Sequence, residues 1–137
     1  MQDMRCAIIV DPELPAGVIA NTAAVLSLTL GRRHPELIGE DLLDARGEAR
    51  SGITTLPIPI LKCGAEQLRA LRAAASAHGG ELTLVELISA TRSTRSYQEY
   101  AAALAATAED ELQYQGLALC GPAKRVRQLT GSLGLLR

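Results

Sequence analysis

The feature that most constrains the fold is the stretch of residues 16–30, which carries no charged side chain. Its polar residues are Asn21, Thr22, Ser27 and Thr29. A surface helix normally keeps a charged face, so a helix this apolar should be covered on more than one side. It is also shorter than the roughly 20 apolar residues that a helix needs to cross a bilayer. The stretch therefore predicts a helix packed between a sheet and a further surface.

The residues before this helix predict a buried strand and a tight turn. Residues 6–10 form an unbroken apolar run rich in β-branched side chains, as in a strand covered on both faces. Pro12 and Pro15 break that strand because proline has no backbone N–H to donate. Pro15 suits the first position of a helix and Gly31 the position just past its end. The opening of the chain is thus a central strand, a turn and an apolar helix.

The rest of the chain alternates between strand and helix patterns. The predicted elements are a turn at 44–47 joining two short extended pieces, an edge strand or unpaired extended segment at 52–61, a helix at 65–78, a strand at 81–90, a helix from Ser96 to about residue 106, a strand at 114–120, and a helix from Pro122 that ends at Gly131. Pro57 and Pro59 exclude a central position for segment 52–61. His34 is predicted to be a solvated loop residue.

Composition predicts a single domain over residues 1–137. The apolar content of 47% excludes disorder and suits a compact chain with surplus surface to bury against a partner. The net charge of −1 argues against non-specific nucleic-acid binding, which depends on surplus Lys and Arg. Cys6, Cys63 and Cys120 are far apart and lie in or beside apolar runs, which indicates buried, reduced thiols. With no recognisable signal peptide or membrane span, we expect a cytoplasmic protein.

The polar cluster that most resembles a binding site is the loop at residues 91–96. It follows a predicted strand, precedes a helix, and offers hydroxyl and guanidinium donors suited to a carboxylate or phosphate. The alternative is a solvated loop that only caps the helix, with Ser96 and Glu99 as a capping box. Asn21 and Thr22 present a similar choice, because they either line a pocket at the end of the central strand or bond to the backbone and help pack their own helix.

The sequence offers few of the usual catalytic arrangements. It has no Ser/His/Asp or Cys/His combination, no metal-ligand set, no phosphate-binding glycine loop and no dinucleotide motif. Acidic pairs such as Glu40-Asp41 fall in predicted loops or on exposed helix faces. We therefore predict neither a metal nor a cofactor.

Three stretches carry a family resemblance that covers nearly the whole chain. They are VDPELPAGVIANTAAVL at 10–26, ILKCGAEQLRALRAAA at 60–75 and GPAKRVRQLTGSLGLLR at 121–137. Together they closely resemble the bacterial family catalogued as domain of unknown function 2000. That family is similar in fold to type-II peptidyl-tRNA hydrolases, which cleave the ester between a peptide and its tRNA. The resemblance implies an α/β protein with three α/β/α layers on a mixed sheet of about four strands, and a dimer.

The catalytic residues of those hydrolases do not carry over. Gly17 is followed by Val18 where the hydrolases have lysine, and their helix histidine falls near Val25. Their Asp-Ala-Gly-x-Thr-Gln segment aligns with residues 89–94, which contain no aspartate. Ser93 or Thr94 remains as a match for the threonine–glutamine pair, and Gly121-Pro122 matches the closing turn. Arg92 or Arg95 offers oxyanion stabilisation, but no residue stands out to activate water.

These observations leave three functional hypotheses. The first is a binding protein that lacks the hydrolase Lys and Asp and holds a small anionic ligand or a partner in the corresponding groove. The predicted lining residues of that groove are Asn21, Thr91, Arg92, Ser93, Thr94 and Tyr97. The second is a peptidyl-tRNA hydrolase or related acyl hydrolase with an altered residue set. The third is a structural or regulatory partner that has no pocket and uses the apolar helix as its interface.

Dimerisation is a separate prediction. Packing residues 16–30 between two subunits would explain why this helix keeps no charges. We therefore expect a homodimer formed through the apolar helix.

Overall fold

The protein is a mixed α/β domain, described over residues 3–137 by a computed structural model. Its elements in chain order are β1 (Met4–Val10), α1 (Ala16–Arg33), β2 (Leu42–Leu43), β3 (Ala49–Arg50), β4 (Ile60–Lys62), α2 (Ala65–Ser76), β5 (Thr83–Ile88), α3 (Tyr97–Ala106), β6 (Tyr114–Pro122) and α4 (Ala123–Thr130). Four strands form one sheet in the order β4-β1-β6-β5. β1 is parallel to β4 and antiparallel to β6, and β5 is antiparallel to β6. The predicted mixed sheet of four strands is confirmed.

The two central strands, β1 and β6, are buried because both of their faces are apolar. Ile8 on β1 packs toward α1 in a cluster with Leu26 and Ala118. Its neighbour Ile9 packs on the opposite face with Leu68 of α2 and Val126 of α4. Successive residues of a strand thus point to opposite faces of the sheet and pack in two separate hydrophobic cores. The sheet therefore lies between a layer containing α1 and a layer containing α2 and α4.

Helix α1 buries one side only. Thr22, Leu26 and Leu30 face the sheet, whereas Val25 and Leu28 are exposed. Within the described part of a single chain, the expected second cover over this helix is not found. The predicted stop at Gly31 is also wrong, since the helix continues to Arg33.

The proline-rich segment behaves as predicted. β4 is a short strand at one edge of the sheet, and it begins only after Pro57 and Pro59. Pro59 still takes part in pairing through its carbonyl, which accepts the Ile8 N–H at 3.0 Å. Pro59 can make this bond because proline keeps its backbone carbonyl, and the bond does not require the N–H that proline lacks.

Residues 38–55 form a hairpin that we call the arm. β2 and β3 pair antiparallel within it, and Ile38 and Thr54 form a further bridge at its base. The Asp44 carboxylate accepts hydrogen bonds from the backbone N–H groups of Arg46 and Glu48 at its turn. These bonds lower the pKa of Asp44. The arm is therefore held together by its own backbone and side-chain bonds.

The prediction for His34 is wrong, because this residue is bonded to a distant strand. Its Nε2 lies 2.8 Å from the hydroxyl of Thr83 on β5, and its Nδ1 lies 3.3 Å from a Glu36 carboxylate oxygen. The side chain is 16% exposed. His34 therefore connects the end of α1 to an edge strand.

The three cysteines are free and buried, as predicted. Cys6 and Cys120 are opposite each other on β1 and β6, with their sulfur atoms 2.9 Å apart. The hydrogen bond shared with Cys6, in which Cys120 keeps its proton, raises the pKa of Cys120 together with burial, and burial raises the pKa of Cys63. A raised thiol pKa keeps Cys63 and Cys120 protonated and poorly nucleophilic.

Candidate functional site

Three strands, β1, β4 and β5, have their carboxyl ends at the same end of the sheet. β1 and β4 are parallel, and β5 runs in the direction of β1 because both are antiparallel to β6. Ligands of open α/β sheets bind beyond the carboxyl ends of the strands. A cavity of about 290 Å³ lies at this end of the sheet, and we call it the strand-end cavity. Its polar lining includes Asp11, Glu66, Arg69, Ser89, Arg92 and Gln115.

The acidic residues of the strand-end cavity follow two parallel strands. Asp11 comes directly after β1, and one of its carboxylate oxygens accepts the backbone N–H of Glu13 at 2.9 Å. Glu66 lies in the first turn of α2, shortly after β4. A carboxylate is stabilised at a helix N-terminus by the helix dipole. Both acids are thus held beside the ends of their strands by local structure.

The two arginines of this cavity differ in how they are bound. Arg69 donates to the carbonyls of Glu109, at 3.1 Å, and of Leu112. It serves to tie α2 to the segment before β6. Arg92 forms no ion pair with any carboxylate in the part of the chain that the structure describes. The exposed Arg92 therefore lines the cavity without a direct ion-pair partner, in the same space as the carboxylates of Asp11 and Glu66.

A second cavity, of about 570 Å³, lies between α1 and the loop that leads to α3, and we call it the side cavity. Its polar lining includes Thr29, Thr91, Thr94, Arg95, Tyr97 and Tyr100. The Thr94 hydroxyl donates to the Ala90 carbonyl at 3.0 Å, so it stabilises the turn as well as lining the cavity. Burial raises the pKa of Tyr100.

A buried polar chain runs between the two cavities. Gln115 on β6 is 2% exposed, and its Nε2 donates to the Thr22 hydroxyl at 3.1 Å. The Thr91 hydroxyl lies 3.4 Å from the Gln115 Oε1 and also bonds to the Ile88 carbonyl. Thr22 in turn donates to the Val18 carbonyl at 2.7 Å. All members of this chain are satisfied, so it fixes α1, β6 and the loop after β5 relative to one another.

The structure does not bring the six predicted site residues together. Thr91, Thr94 and Tyr97 line the side cavity, and Arg92 lines the strand-end cavity. Asn21 and Ser93 are exposed and line neither cavity. The cause is a single 3-10 turn at Ser89–Arg92, which directs the neighbours Thr91 and Arg92 to different cavities. The predicted single groove is therefore two separate spaces.

Sequence reasoning missed Asp11, Glu66, Ser89 and Gln115. Asp11 belongs by sequence to the turn that Pro12 and Pro15 create, and Gln115 lies inside an apolar strand pattern. One signal was available, since Asp11 and Ser89 immediately follow the strands β1 and β5. Residues in that position of an open α/β sheet are ligand-binding candidates. The capping box was better predicted, because the Ser96 hydroxyl accepts the Glu99 N–H at 3.1 Å.

Nowhere between residues 3 and 137 do three or more His, Cys, Asp or Glu side chains come together as a metal site. None of the described helices has both the length and the hydropathy to cross a membrane.

Comparison with known proteins identifies the family. Residues 4–137 match the family described as Protein of unknown function (DUF2000). This chain belongs to the DUF2000 family. A solved structure of a protein of unknown function from Agrobacterium tumefaciens strain C58 is similar to this DUF2000 protein with a TM-score of 0.89. The two chains are 22% identical, and the match covers 98% of each. No curated protein matches the DUF2000 chain.

Proposed function

We propose that this DUF2000 protein binds a small anionic molecule in the strand-end cavity, with Arg92 as the anion contact. The observation that carries the proposal is the guanidinium of Arg92, which lines this cavity without a carboxylate partner among residues 3–137. A guanidinium presents paired donors that match a carboxylate or phosphate. The location beyond three strand ends supports the same conclusion.

The volume of the cavity and its two carboxylates limit the class of ligand that it can bind. A volume of about 290 Å³ is at the low end for ligand pockets, so the molecule is small. Asp11 and Glu66 repel a purely anionic ligand but accept hydrogen bonds from a hydroxyl or amino group. The ligand class that fits is therefore a small carboxylate or phosphate ester that also carries a hydroxyl or amino group.

The test is binding of small anions measured by calorimetry and thermal shift. The probes are inorganic phosphate, glycerol 3-phosphate and serine. We expect Arg92→Ala to weaken the binding of whichever of them binds by about 10- to 100-fold, the usual effect of losing a hydrogen bond to a charged group. Arg92→Lys should retain part of the affinity because it keeps the charge but loses the paired donors.

Arg95→Ala is the matched control for this test. Arg95 is three residues away and lines the side cavity instead. Loss of binding in the Arg95 variant with full binding in the Arg92 variant would move the site to the side cavity. Absence of binding to all three probes at millimolar concentration would contradict the proposal.

A second candidate function is acyl-ester hydrolysis, as implied by similarity to type-II peptidyl-tRNA hydrolases. The observation that favours it is the carboxylate of Asp11 in the same cavity as Arg92. A carboxylate can activate a water molecule, and a guanidinium can stabilise the oxyanion that then forms. Asp11 would thus supply the base that the sequence comparison with those hydrolases does not provide.

We expect peptidyl-tRNA turnover to fall at least about 100-fold in Asp11→Asn, because loss of a general base has effects of that size. Asp44→Asn is the control, since Asp44 lies in the arm, away from the cavity. The measurement is release of peptide from purified peptidyl-tRNA. Equal turnover in the wild-type protein and the Asp11 variant would exclude Asp11 as the base.

A further inference from the structure

The arm is an ordered element that packs on little else in its own chain. The Gly39 N–H bonds to the Ile53 carbonyl at 2.8 Å, and the Thr55 N–H bonds to the Leu37 carbonyl at 2.7 Å. At this base a Cβ on Gly52 would lie 1.8 Å from the Gly39 carbonyl oxygen, so the two backbones cross closely. β2 and β3 contact chiefly each other. The arm is thus a hydrogen-bonded hairpin that projects from the domain.

The arm exposes aliphatic side chains instead of burying them. Leu42 is 69% exposed, Leu43 is 73% exposed and Ile53 is 77% exposed. Together with Ile38, the arm supplies four of the nine exposed large apolar residues that the described chain contains. Four exposed aliphatic side chains on one projecting hairpin are typical of a surface that another molecule covers.

The accessible surface of the whole chain supports this interpretation. The described residues expose 8780 Å², whereas a compact monomer of 14.5 kDa should expose about 6,900 Å². A stable interface of standard size needs about 800 Å² from each partner. The excess surface is therefore large enough to form such an interface.

Helix α1 presents the complementary surface. Ala20, Ala24, Val25 and Leu28 are exposed on it and form what we call the outer stripe. This stripe bears no charge, and the helix ends with the exposed residues Arg32 and Arg33. The arm has four acidic and two basic residues, so its net charge is −2. Two arms would repel each other, whereas an arm and the basic end of α1 attract each other.

We propose that the arm of one chain packs on the outer stripe of a second copy of this chain, and that the second arm packs reciprocally on the first. In a two-fold dimer each such contact occurs twice, so one pair of surfaces covers both arms and both helices. The arrangement gives α1 the second cover that its sequence predicts and that residues 3–137 of its own chain do not provide. It does not depend on the ligand proposed for the strand-end cavity.

The first test is the mass of the wild-type protein at micromolar concentration, measured by light scattering and sedimentation. We expect twice the chain mass of 14.5 kDa. The double variant Leu42→Asp, Leu43→Asp should be monomeric, with a dissociation constant raised at least 100-fold. Its circular dichroism and melting curve should still be those of a folded domain, since both side chains are exposed in the single chain.

Leu104→Asp on α3 is the matched control, because Leu104 is 42% exposed but lies outside the arm and the outer stripe. We expect this variant to remain dimeric. A monomeric wild-type protein at these concentrations overturns the proposal. So does a dimer that the arm substitutions leave intact, because its interface would then lie elsewhere.

Mixing two variants of opposite charge distinguishes a dimer in which each arm contacts the other chain's α1 from a dimer in which the two arms contact each other. Leu28→Lys should be monomeric alone, since a charge on the outer stripe opposes burial under the arm. Mixing it with the Leu42→Asp, Leu43→Asp variant should restore dimers, because one contact then pairs lysine with aspartate and the other is wild type. A mixture that stays monomeric contradicts the contact between arm and outer stripe.

Discussion

Replacing Leu26 with alanine is expected to lower the free energy of unfolding by about 3–5 kcal/mol. Leu26 has no exposed surface and lies between α1 and the sheet, in the core that contains Ile8 and Ala118. The truncation removes buried methyl groups and leaves a cavity between a helix and two central strands. Neither surface can close it easily, because β1 and β6 are fixed by neighbours on both sides.

The measurement is urea unfolding followed by circular dichroism, with Leu104→Ala as the control for the same chemical change at an exposed helix position. We expect Leu104→Ala to lower the free energy of unfolding by less than about 1 kcal/mol. A Leu26 variant as stable as this control would mean that α1 does not pack on the sheet as described.

Adding one methyl group at Gly116 is expected to cost about 2–3 kcal/mol of stability, at the upper end of the range for overpacking. Gly116 lies on β6 under α1, and a Cβ there would be 2.7 Å from the Thr22 methyl carbon and 2.9 Å from the Ile9 carbonyl oxygen. The second contact is with the backbone of a central strand, which cannot rotate away. Gly116→Ala should therefore lower the melting temperature, as measured by calorimetry.

Thr22→Ser tests whether contact with the helix causes part of this loss. Serine keeps the hydroxyl that accepts from Gln115 and lacks the methyl group that the new Cβ would meet. We expect the double variant to recover part of the stability of Gly116→Ala but not all of it, because the contact with the Ile9 carbonyl remains. Full additivity of the two single effects would place the cause outside the Thr22 contact.

Local sequence signals predicted most of the fold. The β-branched run at residues 6–10 became a central strand, Pro57 and Pro59 excluded a central position for β4, and Ser96 caps α3. Errors arose where a distant residue decides the outcome. His34 lies in a loop by sequence, but its partner Thr83 is 49 residues away. Gly31 suggested a stop, yet the helix continues because nothing at that point forces the chain to turn.

The candidate site was less predictable for the same reason. A polar loop after β5 was visible in the sequence, but its 3-10 turn sends Thr91 and Arg92 to different cavities. Asp11 and Gln115 come together because the Asp11 N–H donates to the Gln115 carbonyl at 3.3 Å, which continues the ladder of β1 and β6. The register of two strands far apart in sequence determines that contact. No local pattern contains this information.

The adjacency of β1 and β6 also orders events during synthesis. Cys6 and Cys120 face each other across a separation of 114 residues, so β1 leaves the ribosome long before its partner strand exists. Until then the edge of β1 that pairs with β6 stays uncovered, which favours aggregation of the nascent chain. Loop closure over such a distance also slows folding. This DUF2000 domain therefore completes its central strand pair only when nearly the whole chain has been made.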